Sequence, residues 1–449
     1  MGTRDLRSIG ILAVAGGAAC ALIAMADRAE AQQRTPPLAE TPQSRDPAAA
    51  PLNEPAEEPQ PTFVHEGDSY TAMLTISGAL SRGVLGWDDG EASDAYFVDN
   101  AQDGTSISVE GEIDFGEGWA LGAAAGADLI YAPSDEVDQF DRSGFDNRID
   151  LSFLYASLGQ ERLGTIVAGY ADTASDGIDN INLAESDVIA DADVISWNAN
   201  FLIRPAGAAG SDLRWGDFID GTLAGDTRII AGYTTPEVGG FEAGAAVGES
   251  YRDVALRYQG EWADAFEVEG GIGYWSDTWS DSSEPVDDAG WGGSIAVRHI
   301  GTGLNIAVNY ANVGHAHDCE EPGAVTGRCR GEDSFYYVKG GIVRDDVVAW
   351  GPSAVYGEFY RETKRFNESD PGVLRALESV PGSAGELRDS VASVWGVGVV
   401  QGIEAWNTEL FLGYRHYGLD VSLIGKAGTA PAKALDGFNI IMAGAKISF

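Results

Sequence analysis

The chain has 449 residues, 70 of them Asp or Glu and 28 Lys or Arg, so its formal net charge at pH 7 is −42. This excess of acid disfavours nucleic acid as a partner, because phosphate recognition needs a basic surface, and makes cations the natural counterpart. A saline habitat, in which acidity serves solubility, is the alternative explanation. Three cysteines are too few for a disulfide scaffold.

The first 31 residues predict a secretory signal peptide. Arg4 and Arg7 form a basic start, an apolar run covers residues 8–26, and Ala-Glu-Ala at residues 29–31 is a small-x-small cleavage site. An uncleaved membrane anchor is the alternative, which the many Gly and Ala residues of the run disfavour. Cys20 lacks the Leu three positions earlier that a lipoprotein signal usually carries.

Residues 32–68 predict a disordered, Pro-rich periplasmic tether. Eight prolines fall between Gln32 and Thr62, with almost no large apolar residues among them. Such a segment buries too little surface to offset its ordering entropy, and its prolines favour an extended conformation.

From residue 69 onward the pattern predicts one all-β domain, a transmembrane antiparallel barrel over residues 69–449. No stretch of 18 apolar residues follows the signal, so no transmembrane helix is expected. Sixteen segments instead have the length of membrane strands. They cover residues 70–83, 105–115, 118–131, 148–158, 163–171, 226–235, 241–249, 252–262, 265–276, 290–300, 303–313, 333–343, 347–361, 390–401, 405–419 and 436–449.

Short and long connections alternate between these segments, as they do in membrane barrels with short periplasmic turns and long outer loops. The short ones lie at residues 115–119, 159–163, 236–240, 262–265, 301–303, 344–346 and 402–404. The connections between them are mostly long, acidic and rich in Gly, Ser and Asp. A soluble β-sandwich has no reason to keep this alternation.

Side chains within the segments alternate between apolar and polar, which indicates strands with one buried face. In residues 106–115 the polar face carries Glu110, Glu112 and Asp114, which we predict to line the interior of the barrel. A soluble sheet alternates in the same way. Aromatic residues concentrated at strand ends favour a membrane barrel, because interfacial girdles lie there; they are Trp119, Tyr131, Trp262, Tyr274, Trp291, Tyr310 and Trp406.

Three pieces of sequence follow one another in a characteristic order. They are the hairpin of residues 149–169, the stretch from Tyr233 to Gly244 with Thr-Thr-Pro-Glu-Val-Gly-Gly at its centre, and a last strand ending in Phe449. In this order they resemble the sixteen-stranded general porins, particularly those of alphaproteobacteria. The resemblance implies a non-enzymatic outer-membrane channel for passive diffusion of ions and small hydrophilic solutes. It also implies a homotrimer, for which the small residues 123–126 are candidate contacts, and a role for Phe449 as an assembly signal.

The resemblance further implies that the connection after the fifth strand folds into the barrel and narrows it. Residues 172–225 hold ten acids against Arg204 and Arg214. The predicted acidic constriction consists of Asp172, Asp176, Asp179, Glu185, Asp187, Asp191 and Asp193. Apolar patches at residues 194–197 and 201–203 are expected to anchor it against the inner wall. Carboxylates at a narrow pore favour cations, whereas a solvated loop outside the barrel is the alternative.

Porins of this type often carry arginines on the wall that faces the constriction. Here Tyr170 and Ala171 stand where an Arg is common. The candidates for a basic wall are Arg148, Arg257, Arg298, Lys339 and Arg415.

The connections hold two further candidate sites. Asp176, Asp179, Glu185 and Asp187 offer the oxygen ligands that Ca²⁺ prefers, although their spacing does not match an EF-hand. They are candidate ligands of a structural Ca²⁺, and no other cofactor is expected. Cys319 and Cys329 fall in one predicted outer loop of an oxidising compartment, which favours a disulfide over a soft-metal site with His315 and His317.

No catalytic constellation is evident. The five histidines lie away from any Gly-x-Ser-x-Gly elbow, and carboxylate pairs carry no information in so acidic a chain. Two alternatives to a general porin stay open. One is a channel specific for a substrate such as a sugar or an anionic nutrient, and the other is a secreted acidic β-rich adhesin or glycan-binding protein.

Overall fold

The computed structural model describes residues 62–67, 70–142, 147–204, 213–281, 284–319, 327–365, 385–425, 428–430, 435 and 437–449. The predicted signal peptide, residues 1–31, and most of the predicted tether lie outside the described residues.

Nineteen strands are present in the described part of the chain: β1 Thr62–Glu66, β2 Thr71–Asp88, β3 Ser93–Asp99, β4 Ser106–Asp114, β5 Trp119–Ile130, β6 Arg148–Gln160, β7 Gly164–Asp172, β8 Thr227–Thr234, β9 Phe241–Gly248, β10 Tyr251–Trp262, β11 Phe266–Asp281, β12 Glu284–His299, β13 Leu304–Cys319, β14 Gly327–Val348, β15 Gly351–Arg365, β16 Gly385–Ile403, β17 Thr408–Gly425, β18 Gly428–Ala430 and β19 Phe438–Ser448. Short 3-10 helices occur at Val194–Trp197, Trp215–Asp217 and Glu404–Trp406. Among the described residues, no helix is long and apolar enough to cross a membrane.

The strands form one closed antiparallel barrel. Most strands pair with their neighbours in the chain, and β19 returns to β2, where Asn439 lies opposite Asp88 and Ser448 opposite Ala79. Both β3 and β4 pair with β2, and both β18 and β19 pair with β17, so each of these couples is one interrupted barrel strand. With β1 outside the ring, the barrel has sixteen strands, which confirms the predicted fold class.

All sixteen predicted strands are present, and three details of the prediction are wrong. The turn expected at residues 344–346 lies at residues 349–350, because β14 continues through a register shift between Arg344 and Val348. The tether was expected to extend to residue 68, but Thr62–Glu66 forms β1 and pairs with Thr71–Thr75. The sequence also predicts a loop at residues 93–99, where the short strand β3 forms.

The two faces of the sheet differ in the way the alternation predicts. On β13, Leu304, Ile306 and Val308 are exposed, whereas the intervening Ala307 and Asn309 are buried. Exposed aromatic side chains on the outer face lie in two rows with exposed aliphatic side chains between them. The row towards the long connections comprises Tyr274, Trp291, Tyr310, Tyr336, Phe359 and Trp395, and the row at the short turns comprises Trp119, Tyr233, Phe241, Trp262, Phe266, Trp406 and Phe449.

Candidate functional site

The connection between β7 and β8, residues 173–226, is termed the inner segment; its residues 205–212 lie outside the described part. It packs against the polar, inner face of strands spread over a wide arc of the barrel. Hydrogen bonds of 2.7–3.0 Å join it to Asp253, Ser294, Asn309, Lys339, Tyr360 and Tyr417, on β10, β12, β13, β14, β15 and β17. Many of these wall side chains bind main-chain carbonyls of the segment, so they fix its path.

An apolar anchor holds the inner segment on one side of the barrel, as the sequence predicts for residues 194–197 and 201–203. Trp197 and Phe201 are fully buried. The ring of Phe201 lies 5.0 Å from that of Phe438 and 5.7 Å from that of Trp87. Trp215 lies 5.7 Å from Tyr417. The segment therefore shares a hydrophobic core with the wall.

Glycines in the wall make room for this anchor. A Cβ atom added to Gly413 would lie 2.6 Å from Cη2 of Trp197, and one added to Gly271 would overlap the Cδ1 atom of Ile178. Both glycines occupy inward positions of their strands. These recesses let two large side chains of the segment approach the backbone of the barrel.

Arg415 is fully buried beneath the inner segment. Its Nε donates to Oε1 of Glu358 at 2.7 Å, and its Nη1 donates to the carbonyl of Val194 at 3.2 Å. Its guanidinium carbon lies 4.4 Å from the ring centroid of Trp197. The wall strand and the segment are thus joined by one cation that pairs with a carboxylate, a carbonyl and an aromatic ring.

The other predicted wall cations also contact the inner segment. Lys339, fully buried, donates to the carbonyl of Ala190 at 2.7 Å and to Oγ of Ser186 at 3.1 Å. Arg298 forms ion pairs with Glu185 and, at 2.6 Å, with Glu267. Arg257 donates to the carbonyls of Ala174 and Asp176.

The contacts of these candidate wall cations differ. Arg257, Arg298, Lys339 and Arg415 all donate to carbonyls or carboxylates of the inner segment and so hold it, and Arg298 and Arg415 also pair with the wall acids Glu267 and Glu358. Arg148 lies elsewhere: it is exposed at the start of β6 and pairs with Glu136 and Asp150.

The acids predicted for the constriction have different environments. Six are half-buried: Asp172, Asp176, Glu185, Asp187, Asp191 and Asp193. Asp187 accepts from Nδ2 of Asn182 at 2.6 Å and lies 3.5 Å from Nζ of Lys339. Asp191 accepts from Nδ2 of Asn180 at 2.9 Å. Burial, followed by the charge of Asp191, raises the pKa of Asp193 to about 7.

Asp179 does not face the interior space, although the sequence places it with the pore acids. Its side chain is fully buried and accepts the backbone N–H groups of Leu223 and Ala224 at 2.8 and 3.0 Å. Burial raises the pKa of Asp179 to about 7, against the opposing effect of these two hydrogen bonds. Its carboxylate therefore ties the two ends of the inner segment together.

The predicted wall acids Glu110, Glu112 and Asp114 lie on β4, outside the arc of strands that hold the segment. They share one side of that strand and alternate with Val109 and Ile113. Sequence reasoning missed other charged residues of the inner face, including Asp103, Glu358, Glu409 and Lys446. The alternation of side chains along β17 and β19 predicts that Glu409 and Lys446 point into the barrel. No local sequence pattern predicts which residue either of them contacts.

Two further predicted sites are the calcium ion and the disulfide. Among the described residues, no group of three or more His, Cys, Asp or Glu side chains is placed to hold a metal ion, and Asp179 and Asp187 each have separate partners. Backbone pairing places Cys319 opposite Gly327 and Cys329 opposite His317. The side chains of both cysteines lie outside the described part of the chain. Both the calcium ion and the disulfide stay predictions.

Phe449 closes the seam of the barrel. Its backbone N–H and carbonyl exchange 3.0 Å hydrogen bonds with those of Gly78, and its side chain is exposed. A Cβ atom on Gly78 would lie 2.7 Å from Cζ of Phe449, so this glycine leaves room for the terminal ring. The function of Phe449 in assembly stays a prediction.

Comparison with known proteins identifies the fold alone. No protein-family model matches the chain, and no curated protein is significantly similar to it. An anion-selective porin from Comamonas acidovorans superposes with a TM-score of 0.52 at 13% identity, covering 84% of this chain and 100% of that one. The trimer form of OmpT, an outer membrane protein of Vibrio cholerae, gives 0.51 and 13%, with 84% and 99% covered. The resemblance to the alphaproteobacterial type stays a prediction.

Proposed function

We propose that the protein is a passive diffusion channel for ions and small hydrophilic solutes in the outer membrane of a Gram-negative cell, and that it prefers cations. The observation that carries the proposal is the closed sixteen-stranded barrel with an apolar outer face and a charged inner face. Two rows of exposed aromatic residues bound the apolar band, as expected of a barrel in a bilayer. The predicted signal peptide supports export, and residues 32–61 are proposed to form a tether.

The inner segment is proposed to be the constriction. It occupies the side of the barrel formed by β10 to β19 and β2, so the open passage is placed beside β4 to β9. One side of that passage carries half-buried acids of the segment, such as Glu185 and Asp187, and the other carries Glu110 and Glu112.

Cation preference is supported by the partners of the Lys and Arg side chains on the inner face of the barrel. Arg298, Lys339 and Arg415 each have a carboxylate partner, and Lys446 pairs with Asp103. Glu110 and Glu112 on β4 have no ion-pair partner among the described residues. The balance of charge along the passage is therefore negative, which attracts cations by Coulomb interaction that salt screens. The neighbour from Comamonas is named anion-selective, so the shared fold does not decide the sign.

A homotrimer is proposed from the outer surface. Gly111, Ala123, Ala156, Ala168 and Ala231 lie opposite one another in register and make a row of small side chains across β4 to β8. On the nearby β2, Arg82 shares the outer face with exposed Leu80 and Val84 and pairs with Asp99 at 2.6 Å. Charged side chains on a lipid face cost about 2–4 kcal/mol at mid-bilayer, so a protein neighbour over this sector would be favourable.

The test is conductance of the purified mature protein in a planar bilayer under a salt gradient. Stepwise openings with a cation-favouring reversal potential support the whole proposal, and openings with an anion-favouring potential retain the channel but reject the cation preference. Saturation of the current by one sugar would indicate a substrate-specific channel instead. Folded, detergent-extracted protein that does not conduct would reject a channel, and extraction without detergent would favour a secreted adhesin.

A further inference from the structure

The barrel strand formed by β3 and β4 is interrupted, and the chain between these two pieces folds inward. β3 ends at Asp99 and β4 begins at Ser106, yet both pair with the same edge of β2. Residues 100–105 therefore leave the wall, and they are termed the inward arm. Where the ladder is broken, the backbone N–H of Ser81 on β2 donates to Oγ1 of Thr105 at 3.1 Å. A side chain thus replaces a lost main-chain partner, so the wall stays closed while the arm departs.

The inward arm is bound to the inner segment by side chains of both. Nδ2 of Asn100, which is fully buried, donates to the carbonyl of Val188 at 2.6 Å. Nε2 of Gln102 donates to Oδ1 of Asp191 at 2.5 Å, and Oε1 of Gln102 accepts from Oγ of Ser196 at 2.7 Å. Gln102 uses both ends of its amide, so it fixes the distance between the arm and the segment.

The arm also places a carboxylate next to β19, the strand that closes the barrel by pairing with β2. Oδ2 of Asp103 lies 2.5 Å from Nζ of Lys446 on β19, although the two residues are 343 positions apart. In the register of β17 and β19, Lys446 lies directly opposite Glu409. Asp187 of the inner segment lies within electrostatic range of Glu409. Lys446 therefore contacts Asp103 and lies opposite Glu409, which is in turn within electrostatic range of Asp187.

We propose that the inward arm is a second side of the constriction and that its Asp103 determines charge specificity by neutralising Lys446. The proposal rests on the proposed channel function. The ligands concerned are permeant monovalent ions. With Asp103 in place, the ammonium of Lys446 is held against the arm and the surroundings of Glu409 and Asp187 stay anionic. Without it, the ammonium is released towards Glu409 and Asp187 and cancels part of their charge.

Asp103→Asn tests the proposal in the full-length mature protein, because it keeps the size of the side chain and removes one charge. The ratio of potassium to chloride permeability, from the reversal potential at low ionic strength, is expected to fall about twofold or more, since a unit charge several ångströms from the ion path acts strongly when weakly screened. Lys446→Met is expected to raise the ratio. The double variant D103N/K446M is expected to return it to near the wild-type value, because it removes one charge of each sign.

Asp346→Asn is the matched control. It also removes a carboxylate from a 2.5 Å pair, with Arg344, but that carboxylate is 67% exposed near a short turn. An equal effect of D103N and D346N, or a D103N effect that K446M does not reverse, would overturn the proposal. Failure of the wild-type protein to conduct would instead reject the channel function, so the two failures are distinguishable. Heat-dependent gel mobility of each variant verifies that the barrel has folded.

Discussion

Glu358 and Arg415 form an ion pair of 2.7 Å in which both side chains are almost completely removed from solvent. They lie on β15 and β17, with Gly396 of β16 between them in register. A Cβ atom on Gly396 would lie 2.5 Å from Oε1 of Glu358 and 3.1 Å from Cγ of Arg415, so the glycine permits the pair to meet across a strand. Because the pair also holds the carbonyl of Val194 and the ring of Trp197, it couples the wall to the inner segment.

Arg415→Met is expected to destabilise the barrel by about 3–5 kcal/mol, because it leaves the carboxylate of Glu358 buried without a partner. The measurement is the guanidinium midpoint of unfolding in detergent. The double variant R415M/E358M is expected to recover most of the loss, since two apolar side chains need no charge compensation. Arg344→Met removes the solvent-exposed pair with Asp346 and is expected to have little effect on the midpoint. Equal losses for R415M and R344M would contradict the assignment.

Gly413→Ala is expected to displace Trp197 from the wall. The added methyl would lie 2.6 Å from the indole, and overpacking of this kind typically costs about 1–3 kcal/mol. We expect a red shift of tryptophan emission and faster proteolysis of the inner segment in a barrel that still folds. Gly232→Ala is the control, because a Cβ atom at this inward glycine finds only ordinary contacts of 3.5 Å or more. Unchanged emission in G413A would show that the recess is not needed.

The strands were predictable because their signal is local. On β13 and β4, apolar and polar side chains alternate in consecutive residues. A strand in a bilayer needs an apolar side chain at every second position, because one face contacts lipid. The misplaced turn at residues 344–346 has a local cause as well. An Arg-Asp-Asp sequence is typical of a turn, but Arg344 and Asp346 pair with each other beside an irregularity within β14.

The contacts of the candidate site were not predictable, because they join residues that are far apart in the sequence. Arg415 could be identified as inward and basic, but its partner Glu358 is 57 positions away. Asp179 has the same sequence character as its acidic neighbours, and only the return of the chain at Leu223 and Ala224 makes it a buried acceptor. Pairings of this kind depend on barrel register and on the path of a 54-residue connection, which no periodicity encodes.

The stability of the inner segment is expected to depend on pH through Asp179. Burial raises the pKa of its carboxyl from the ordinary value of 3.8 to about 7, so the folded state binds a proton that the unfolded state releases. The stabilisation is therefore fully present below pH 3.8 and is lost as pH rises to about 7. Asp179→Asn keeps an acceptor for Leu223 and Ala224 without the charge. It is expected to stabilise the protein at pH 8 by on the order of a few kcal/mol and to have little effect at pH 4. Guanidinium midpoints at the two pH values check this, and an effect independent of pH would contradict it.

Glu110 and Glu112 are expected to contribute to cation preference from the wall opposite the inner segment. Neutralising both in E110Q/E112Q should lower the ratio of potassium to chloride permeability about twofold at low ionic strength, and the effect should shrink in high salt because the charges are screened. The control E117Q/E161Q removes two exposed acids from short turns at the same end of the barrel. If both double variants change the ratio equally, overall charge and not the passage sets the preference.

The row of small side chains on β4 to β8 is expected to be a contact between subunits. Ala156 and Ala168 lie opposite each other near its centre and are both exposed in a single chain. Introducing Trp at both positions should prevent close approach of a second barrel without disturbing this one, because a lipid-facing Trp is tolerated in a membrane barrel. The expected result is conversion of a trimer to a monomer, measured by light scattering in detergent. Val308→Trp places the same side chain on the outer face of β13, among exposed Ile306 and Tyr310, and is expected to leave the trimer intact. A wild-type protein that is already monomeric, or a V308W variant that dissociates as readily, would reject this surface as the interface.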